Sequence, residues 1–442
     1  MSLRFCYSLC GYLPTLEEHF DSDVSIPSQT FLGRSPKDAR EAMTWALIKS
    51  MQRVGISSPN PNVGCIIVAN GTVIAEGSTR VFGGLHAERE AIETCSQPEL
   101  LRGATAFMTL EPCAHQGKQP PCTEALINVG IKRCIFGSYD PHPLVQGRGI
   151  ERLKEAGIEV SLSEISSECT AFNLPFFFQC QFKRPFFVGK WAQTLNGLLA
   201  DDDGVSQWIS GSKSRKLTHF MRSKYDALLV GAGTIISDQP SLNARDAIWH
   251  RRDPLKILFD PSGRLLKIND SKMISNILDK TLLHPEKIVY VSFLQDSTPH
   301  WLKDALSKAF IIRLDKRDLG REIQRLKFEI GTPEFINWYG TPIQSVLVEG
   351  GASLTNYFLK LNEFDAFQFF FSPAFLSGTK HHLGMMTENH FCHLKKMPRY
   401  ELLQSFSVGN DVYCEMLPQP TLERLFYKHQ EPPPIRADAE KQ

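Results

Sequence analysis

The chain has no long apolar run, no excess of charge of either sign and no regular cysteine spacing. Its longest apolar stretches, around residues 176–182 and 367–375, fall far short of the roughly 20 residues a membrane-crossing helix needs, so no membrane association is expected. Lys and Arg total 49 against 48 Asp and Glu, a net charge of +1. That balance offers no general attraction to nucleic acid or an anionic surface. The pairs Arg251-Arg252 and Lys395-Lys396 read as solvated faces and not as a binding track, so the ligand is expected to be small. Eleven cysteines over 442 residues form an odd, dilute set without the spacing of a disulfide framework, which fits a reducing compartment. The mildly apolar segment 5–13 follows a single Arg4 and runs into Glu17, Glu18, Asp21 and Asp23, a poor export or organellar signal. A cytoplasmic protein is expected, its oligomeric state, a homo-oligomer included, being left open.

What is present is ordinary globular composition, 42% hydrophobic and 22% charged, in a chain long enough for two or three domains. Two are read here. A helix is expected from Ser35, with Pro36 in its first turn, to Gly55. An apolar run at 63–68, then Asn70-Gly71, then 73–75 reads as a hairpin. A helical pattern from Gly84, a buried strand at 104–110, a helix at 122–129, a strand at 133–137, a helix at 149–156 and a strand at 158–162 continue an alternation typical of a sheet with helices packed on it. This domain closes near Ser166. A linker-like stretch with Pro175, Pro185 and several phenylalanines leads to a strand at 186–190, and later strands at 225–230 and 345–348 each run into glycines. Residues 265–341 have mixed periodicity and no usable motif. The charged, Pro-rich tail from Lys428 reads as disordered.

The chemistry-bearing pattern lies in the first domain. His86-Ala87-Glu88 stands at a helix start, and Cys113 and Cys122 flank the junction of the next strand and helix. One imidazole and two thiolates leave the fourth tetrahedral position of zinc to water, the requirement of a catalytic site. Zinc brings the pKa of that water near about 7, so hydroxide is available to attack a ring carbon bearing an amino group. Glu88, two residues from a ligand and not itself one, is placed to move the proton to departing ammonia. Singly, each of these residues reads more simply as a buried thiol or a capping histidine; jointly, in this order, they match the signature of zinc-dependent deaminases. The remaining cysteines, Cys65 and Cys134 among them, read as plain thiols.

Eight residues separate Cys113 from Cys122, where two are general in deaminases. That insert, with Pro59-Asn60-Pro61-Asn62-Val63-Gly64-Cys65, Glu111-Pro112-Cys113 through Pro120-Pro121-Cys122, and Asp140-Pro141-His142-Pro143 through Gly147-Arg148-Gly149, resembles the bifunctional deaminase/reductase family of riboflavin biosynthesis, RibD, over roughly residues 36–415. The resemblance implies a cytidine-deaminase-like αβα domain followed by a dihydrofolate-reductase-like α/β domain. It gives an N-terminal extension at 1–34, the zinc-dependent deaminase domain at 35–166, a linker at 167–184, the NADPH-dependent reductase domain at 185–418 and a flexible tail at 419–442. It implies one zinc per chain, NADPH, and a small phosphorylated pyrimidine as the partner: deamination of 2,5-diamino-6-(5-phosphoribosylamino)pyrimidin-4-one, then reduction of ribosyl to ribityl. Asn62, His115 and Lys118 would bind substrate in the first domain. In the second, Lys190, Ser206, Asp238, Leu242, Arg245 and Glu349 would bind the phosphorylated sugar, and Trp208, Ser210, Thr234, Gly350 and Gly351 the cofactor.

The resemblance is imperfect at Asn196, Leu198 and Asn243, where the family usually has Asp, a cation and Thr, and at Thr79, Gln119 and Gln146 in the first domain. The first three departures motivate one alternative, a deaminase whose second domain no longer reduces. Other readings are a related aminopyrimidine nucleotide deaminase, a nucleic-acid deaminase, which the charge balance disfavours, and a zinc-stabilised interaction module without activity.

Overall fold

The computed structural model describes residues 30–117, 119–142, 145–245, 252–293, 298–314, 321–378 and 399–418. The extension read at 1–34 falls almost wholly outside these residues, as does the tail at 419–442. The described chain parts into two compact units between Phe182 and Lys183.

In the first unit, helix α1 (Ala39–Met51) starts where the Asp38 carboxylate accepts the Glu41 amide at 2.8 Å, not at Ser35-Pro36. The carboxylate satisfies one of the amides a helix start leaves unpaired. Strands β1 (Gly64–Ala69) and β2 (Thr72–Ser78) form the expected hairpin, with Asn70 at φ 51° and Gly71 at φ 77°. Such a two-residue turn needs positive φ at both central positions, which Asn-Gly tolerates. There follow α2 (Ala87–Glu93), β3 (Thr105–Met108), α3 (Cys122–Asn128), β4 (Arg133–Phe136), α4 (Arg148–Glu155) and β5 (Glu159–Leu162). The sheet order is β2-β1-β3-β4-β5, antiparallel across β2, β1 and β3 and parallel from β3 to β5.

The stretch read as a linker is instead two helices, α5 (Ser166–Phe172) and α6 (Leu174–Phe182). Phe176 and Phe177 belong to the core that also holds Leu126, Phe136 and Ile150. Pro175, which suggested a break, sits in the first turn of α6, where a missing N–H costs nothing.

The second unit is a nine-stranded sheet in the order β10-β9-β8-β7-β11-β6-β12-β14-β13. Its strands are β6 (Phe186–Thr194), β7 (Ala227–Gly231), β8 (Leu255–Asp260), β9 (Ile288–Ser292), β10 (Phe310–Arg313), β11 (Ser345–Glu349), β12 (Ala366–Ser372), β13 (Tyr400–Val408) and β14 (Asp411–Pro418). All run parallel from β10 to β12, and β14 pairs antiparallel with both β12 and β13. Helices α7 (Ser212–Lys224) and α8 (Ala232–Asp238) flank β7, and α9 (Ser271–Asn276), α10 (His300–Ala305), α11 (Glu322–Glu329), α12 (Pro333–Tyr339) and α13 (Ala352–Lys360) complete the unit. Strand β11 lies between β6 and β7, so the chain order reverses beside it. The crevice at the carboxyl ends of such strands is where open α/β sheets bind ligands.

Phe177 is wholly buried, so Phe177→Ala is expected to destabilise the first unit by about 3–5 kcal/mol in chemical denaturation. A linker residue would cost under about 0.5 kcal/mol.

Candidate active sites

His86 immediately precedes α2, Cys113 lies in the loop beyond β3, and Cys122 is the first residue of α3. The His86 Nδ1 is 3.4 Å from the Cys122 Sγ and 3.6 Å from the Cys113 Sγ. Tetrahedral zinc, with bonds of about 2.0 Å to nitrogen and 2.3 Å to sulfur, sets its ligand atoms about 3.5 Å apart. The donor set therefore fits that ion in chemistry and in spacing, and three protein donors leave a fourth position open. The Cys122 thiol and, against burial, His86 hold the Cys113 pKa down to about 4, and the Cys122 amide donates to the same sulfur at 3.4 Å. Cys113 is thus disposed to act as a thiolate. Glu88, in the first turn of α2, is 4% exposed. Burial pushes its pKa above the usual carboxylate range, which suits a group that accepts a proton and passes it on.

Glu111 belongs to the motif, but sequence reasoning assigned it no task. Its buried carboxylate accepts the amides of Gly147 and Asp140 at 3.1 and 3.2 Å on one oxygen. The other oxygen accepts those of Gly149 and Ile150 at 3.0 and 3.4 Å. Asp140, Gly147, Gly149 and Ile150 are thereby tied to a residue two positions from Cys113. Gly149 is required by close approach, since a Cβ there would lie 2.0 Å from the Pro112 carbonyl oxygen. Asp140 is also buried, and burial pushes its pKa up to about 8; its Oδ1 accepts the His142 amide at 2.7 Å. His115 stacks on His142 with ring centroids 6.4 Å apart. Asn62 is held from several sides: its amide donates to Asn173 Oδ1 at 2.8 Å, its carbonyl accepts from Asn173 Nδ2 at 2.9 Å, and its Oδ1 accepts from Ser57 at 2.7 Å. Lys118 lies outside the described residues.

In the second unit, Lys190 on β6 and Glu349 on β11 are register partners. Arg222 of α7, unremarked in the sequence because it is one of several basic residues on a helix without a motif, grips Glu349 through two 2.8 Å bonds. Burial works to raise the Glu349 pKa, but Arg222 and Lys190 hold it at about 2. Arg222 also donates to the Asn243 carbonyl at 3.3 Å, and Arg245 to the Asn243 side chain at 3.4 Å. Lys190, Arg222, Arg245 and Glu349 therefore form one charged cluster at the strand ends. Leu242 is 1% exposed, at φ 51°, so a substrate contact from it would be by main chain.

Ser206, Trp208 and Ser210 precede α7. Trp208 is 67% exposed, with the Arg215 guanidinium 4.3 Å over its ring. Among the described residues no hydrogen bond joins these three, or Asp238, to the charged cluster. Asp238 accepts instead from Ser237. Thr234 follows β7 in α8, and Gly350 and Gly351 follow β11 at the start of α13. Strands β7 and β11 are neighbours, so the two strand-to-helix turns stand side by side. At Gly351 the space a Cβ would occupy is open, which fits the close approach of a dinucleotide phosphate to helix-start amides.

Residues 36–138 match the cytidine and deoxycytidylate deaminase zinc-binding region, and residues 185–414 the RibD C-terminal domain. The riboflavin biosynthesis protein RibD of Actinobacillus pleuropneumoniae is 34% identical over 353 residues, 80% of this chain and 88% of its own length. The chain belongs to the RibD family. The RibD of Aquifex aeolicus is 32% identical over 335 residues, 76% of this chain and 86% of its own. Among solved structures, the deaminase/reductase of Thermotoga maritima superposes with a TM-score of 0.70 at 31% identity, covering 85% of this chain and 97% of its own. Acinetobacter baumannii RibD does so with a TM-score of 0.70 at 29% identity, over 86% and 98%. The two fold classes are those the resemblance implied, a cytidine-deaminase-like domain and a reductase domain of RibD type.

Two departures of the first domain from the family pattern have local tasks. Thr79 is buried, and its hydroxyl accepts the Val63 amide at 3.1 Å. Gln119 donates to the Gly83 carbonyl at 3.1 Å, joining the cysteine loop to the loop before His86.

Gly149→Ala is expected to push the Pro112 carbonyl, and with it Cys113, out of place. Zinc bound per purified chain should fall at least about tenfold by elemental analysis, and full retention of zinc would show that Gly149 does not control the cysteine loop.

Proposed function

We infer that the chain is a bifunctional enzyme of riboflavin biosynthesis. It deaminates 2,5-diamino-6-(5-phosphoribosylamino)pyrimidin-4-one and reduces the ribosyl group of the product to ribityl, with zinc serving the first reaction and NADPH the second. The observation that carries the reading is the convergence of His86, Cys113 and Cys122 beside a buried carboxylate, in a chain whose relatives match it across both units. When bound, zinc acidifies water and NADPH supplies a hydride.

Glu88 takes the proton of the attacking water and delivers it to the departing ammonia. Its burial and its place two residues from His86, in the first turn of α2, support that role. Asn62, His115 and Lys118 contact the pyrimidine nucleotide, Lys118 serving the phosphate as a point charge. In the second unit Lys190, Ser206, Asp238, Leu242, Arg245 and Glu349 bind the phosphorylated sugar, and Trp208, Ser210, Thr234, Gly350 and Gly351 the cofactor. The support for the sugar site is its charge: Lys190, Arg222 and Arg245 outnumber the single carboxylate of Glu349, and the surplus suits a phosphomonoester dianion. The partner is this small phosphorylated pyrimidine. A cytoplasmic setting fits the described cysteines, no two of which form a disulfide with each other.

The test follows ammonia release and NADPH oxidation together on zinc-loaded protein. Both signals are expected. Ammonia without NADPH oxidation would overturn the second activity, and neither signal would overturn both. Glu88→Gln should retain zinc and lose ammonia release by about 10²–10⁴-fold; a variant that still deaminates at the native rate would remove Glu88 from the reaction.

A further inference from the structure

The two helices that stand in place of the expected linker carry one polar side chain with a partner far away in the sequence. Asn173 joins α5 to α6. Its amide donates to the Thr170 carbonyl at 3.2 Å, and its carbonyl accepts the Phe177 amide at 3.1 Å. Its backbone is therefore pinned from both helices, one of them anchored in the core by Phe177. The residue is 3% exposed, and a carboxamide buried so deeply needs partners for both its ends. It finds both on one residue 111 positions earlier: its Oδ1 accepts the Asn62 amide at 2.8 Å, and its Nδ2 donates to the Asn62 carbonyl at 2.9 Å.

Asn62 stands two residues before β1. That strand begins where β2 and β3 end, Gly64 pairing with Ser78 and Cys65 with Met108. Asn62 thus lies at the end of the sheet from which the loops to His86 and Cys113 leave. Val63 is still tied to the sheet, its amide donating to the Thr79 hydroxyl at 3.1 Å and its carbonyl accepting the Thr79 amide at 2.9 Å. Asn62 lies one residue beyond. There the Asn173 carboxamide, which carries a donor and an acceptor as a peptide unit does, extends the ladder by one step. The Asn62 side chain is set separately, the buried Ser57 hydroxyl donating to its Oδ1 at 2.7 Å. With backbone and oxygen both held, the orientation of the Asn62 Nδ2 is fixed, and its two N–H donors make no hydrogen bond among the described residues.

We propose that Asn173 is a positioning residue of the deamination site: holding the Asn62 peptide on both sides, while Ser57 holds the carboxamide oxygen, it presents the Asn62 Nδ2 as a donor to a carbonyl or hydroxyl oxygen of the pyrimidine nucleotide. The proposal rests on the reading of Asn62 as a substrate contact. It gives the segment 166–182 a part in binding the substrate of the first reaction and none in the attack of water.

The test is a double-mutant cycle between residues 173 and 62, reading KM and kcat of ammonia release by the zinc-loaded full chain. Asn173→Leu keeps the side-chain volume and removes both bonds to Asn62. It should raise KM about tenfold and leave kcat within about threefold, because a contact made equally in the bound and reacting states appears in KM alone. With Asn62→Ala already in place, Asn173→Leu should raise KM by less than about twofold, since the donor it positions is gone. A native KM in the single variant overturns the proposal, and so does an equal factor in both backgrounds, the mark of a residue that serves only the core. Zinc per chain should stay at the native level; a folded variant that loses it acts on the metal centre, which also overturns the proposal. Should Asn173→Leu fail to fold, Asn173→Ala, which crowds nothing, enters the same cycle with the same expectations. A native KM in Asn62→Ala would sink the reading of Asn62 as a substrate contact and the proposal with it. A raised KM in Asn62→Ala beside a native one in Asn173→Leu would sink the role of Asn173 alone.

Discussion

Three side chains from three separate segments must bring their donor atoms to within about 3.5 Å of one another before the first unit can hold a zinc ion. Each segment is fixed by different means. The His86 backbone is fixed at the start of α2, where its carbonyl accepts the Glu90 amide at 2.9 Å, and Cys122 is fixed as the first residue of α3. Cys113 lies in a loop, with no regular element to hold it, and the buried Glu111 carboxylate takes over that task by gathering the amides of Asp140, Gly147, Gly149 and Ile150. A buried carboxylate with several amide partners is stable where an unpartnered one would not be. Such a clamp is stiffer than a loop held by side-chain packing alone, and a metal centre needs that stiffness.

The two sites treat their buried acids in opposite ways. Around His86, Cys113 and Cys122, burial outweighs the opposing pull of His86 on Glu88 and Asp140 and pushes both toward protonation, Asp140 up to about 8. In the second unit, Glu349 is chelated by Arg222 and faced by Lys190, and stays anionic. It cannot serve as an acid near neutral pH; it orients cations. The contrast matches the chemistry of each half, since deamination must move protons between water and ammonia, whereas the second site has to hold a charged sugar phosphate against a hydride donor.

The deaminase half was legible because its chemistry is compressed into short motifs whose residues are exceptional in type: a histidine, a glutamate and two cysteines at strand–helix junctions. The hairpin was legible for a similar reason, Asn-Gly being one of few pairs that take two positive φ angles. The linker reading fails at residues 167–184 because proline reads as a breaker, while Pro175 occupies the first turn of a helix, where it is harmless. Residues 265–341 stayed dark because β9 and β10 are short parallel strands; the wholly buried Ile-Val-Tyr-Val-Ser of β9 has no alternation to read. Arg222 was invisible because its partner Glu349 is 127 residues away, a pairing that only the fold creates.

The departures that suggested a failed reductase have local explanations once side chains are placed. Asn196 donates to the Leu376 carbonyl at 2.7 Å and accepts the Leu376 amide at 3.2 Å. A carboxylate at that position could accept but not donate, so asparagine closes the loop at both ends. Leu198 is 1% exposed; an apolar side chain fills its enclosed position, where a lysine or arginine would have to bury its charge or leave. The Asn243 side chain receives Arg245 while its carbonyl receives Arg222, so the residue that departs from the pattern joins two guanidinium groups of the charged cluster. Substitutions that decay after loss of function have no reason to acquire such complementary partners, and the second unit therefore reads as an active site adjusted in detail, with its charge arrangement kept whole.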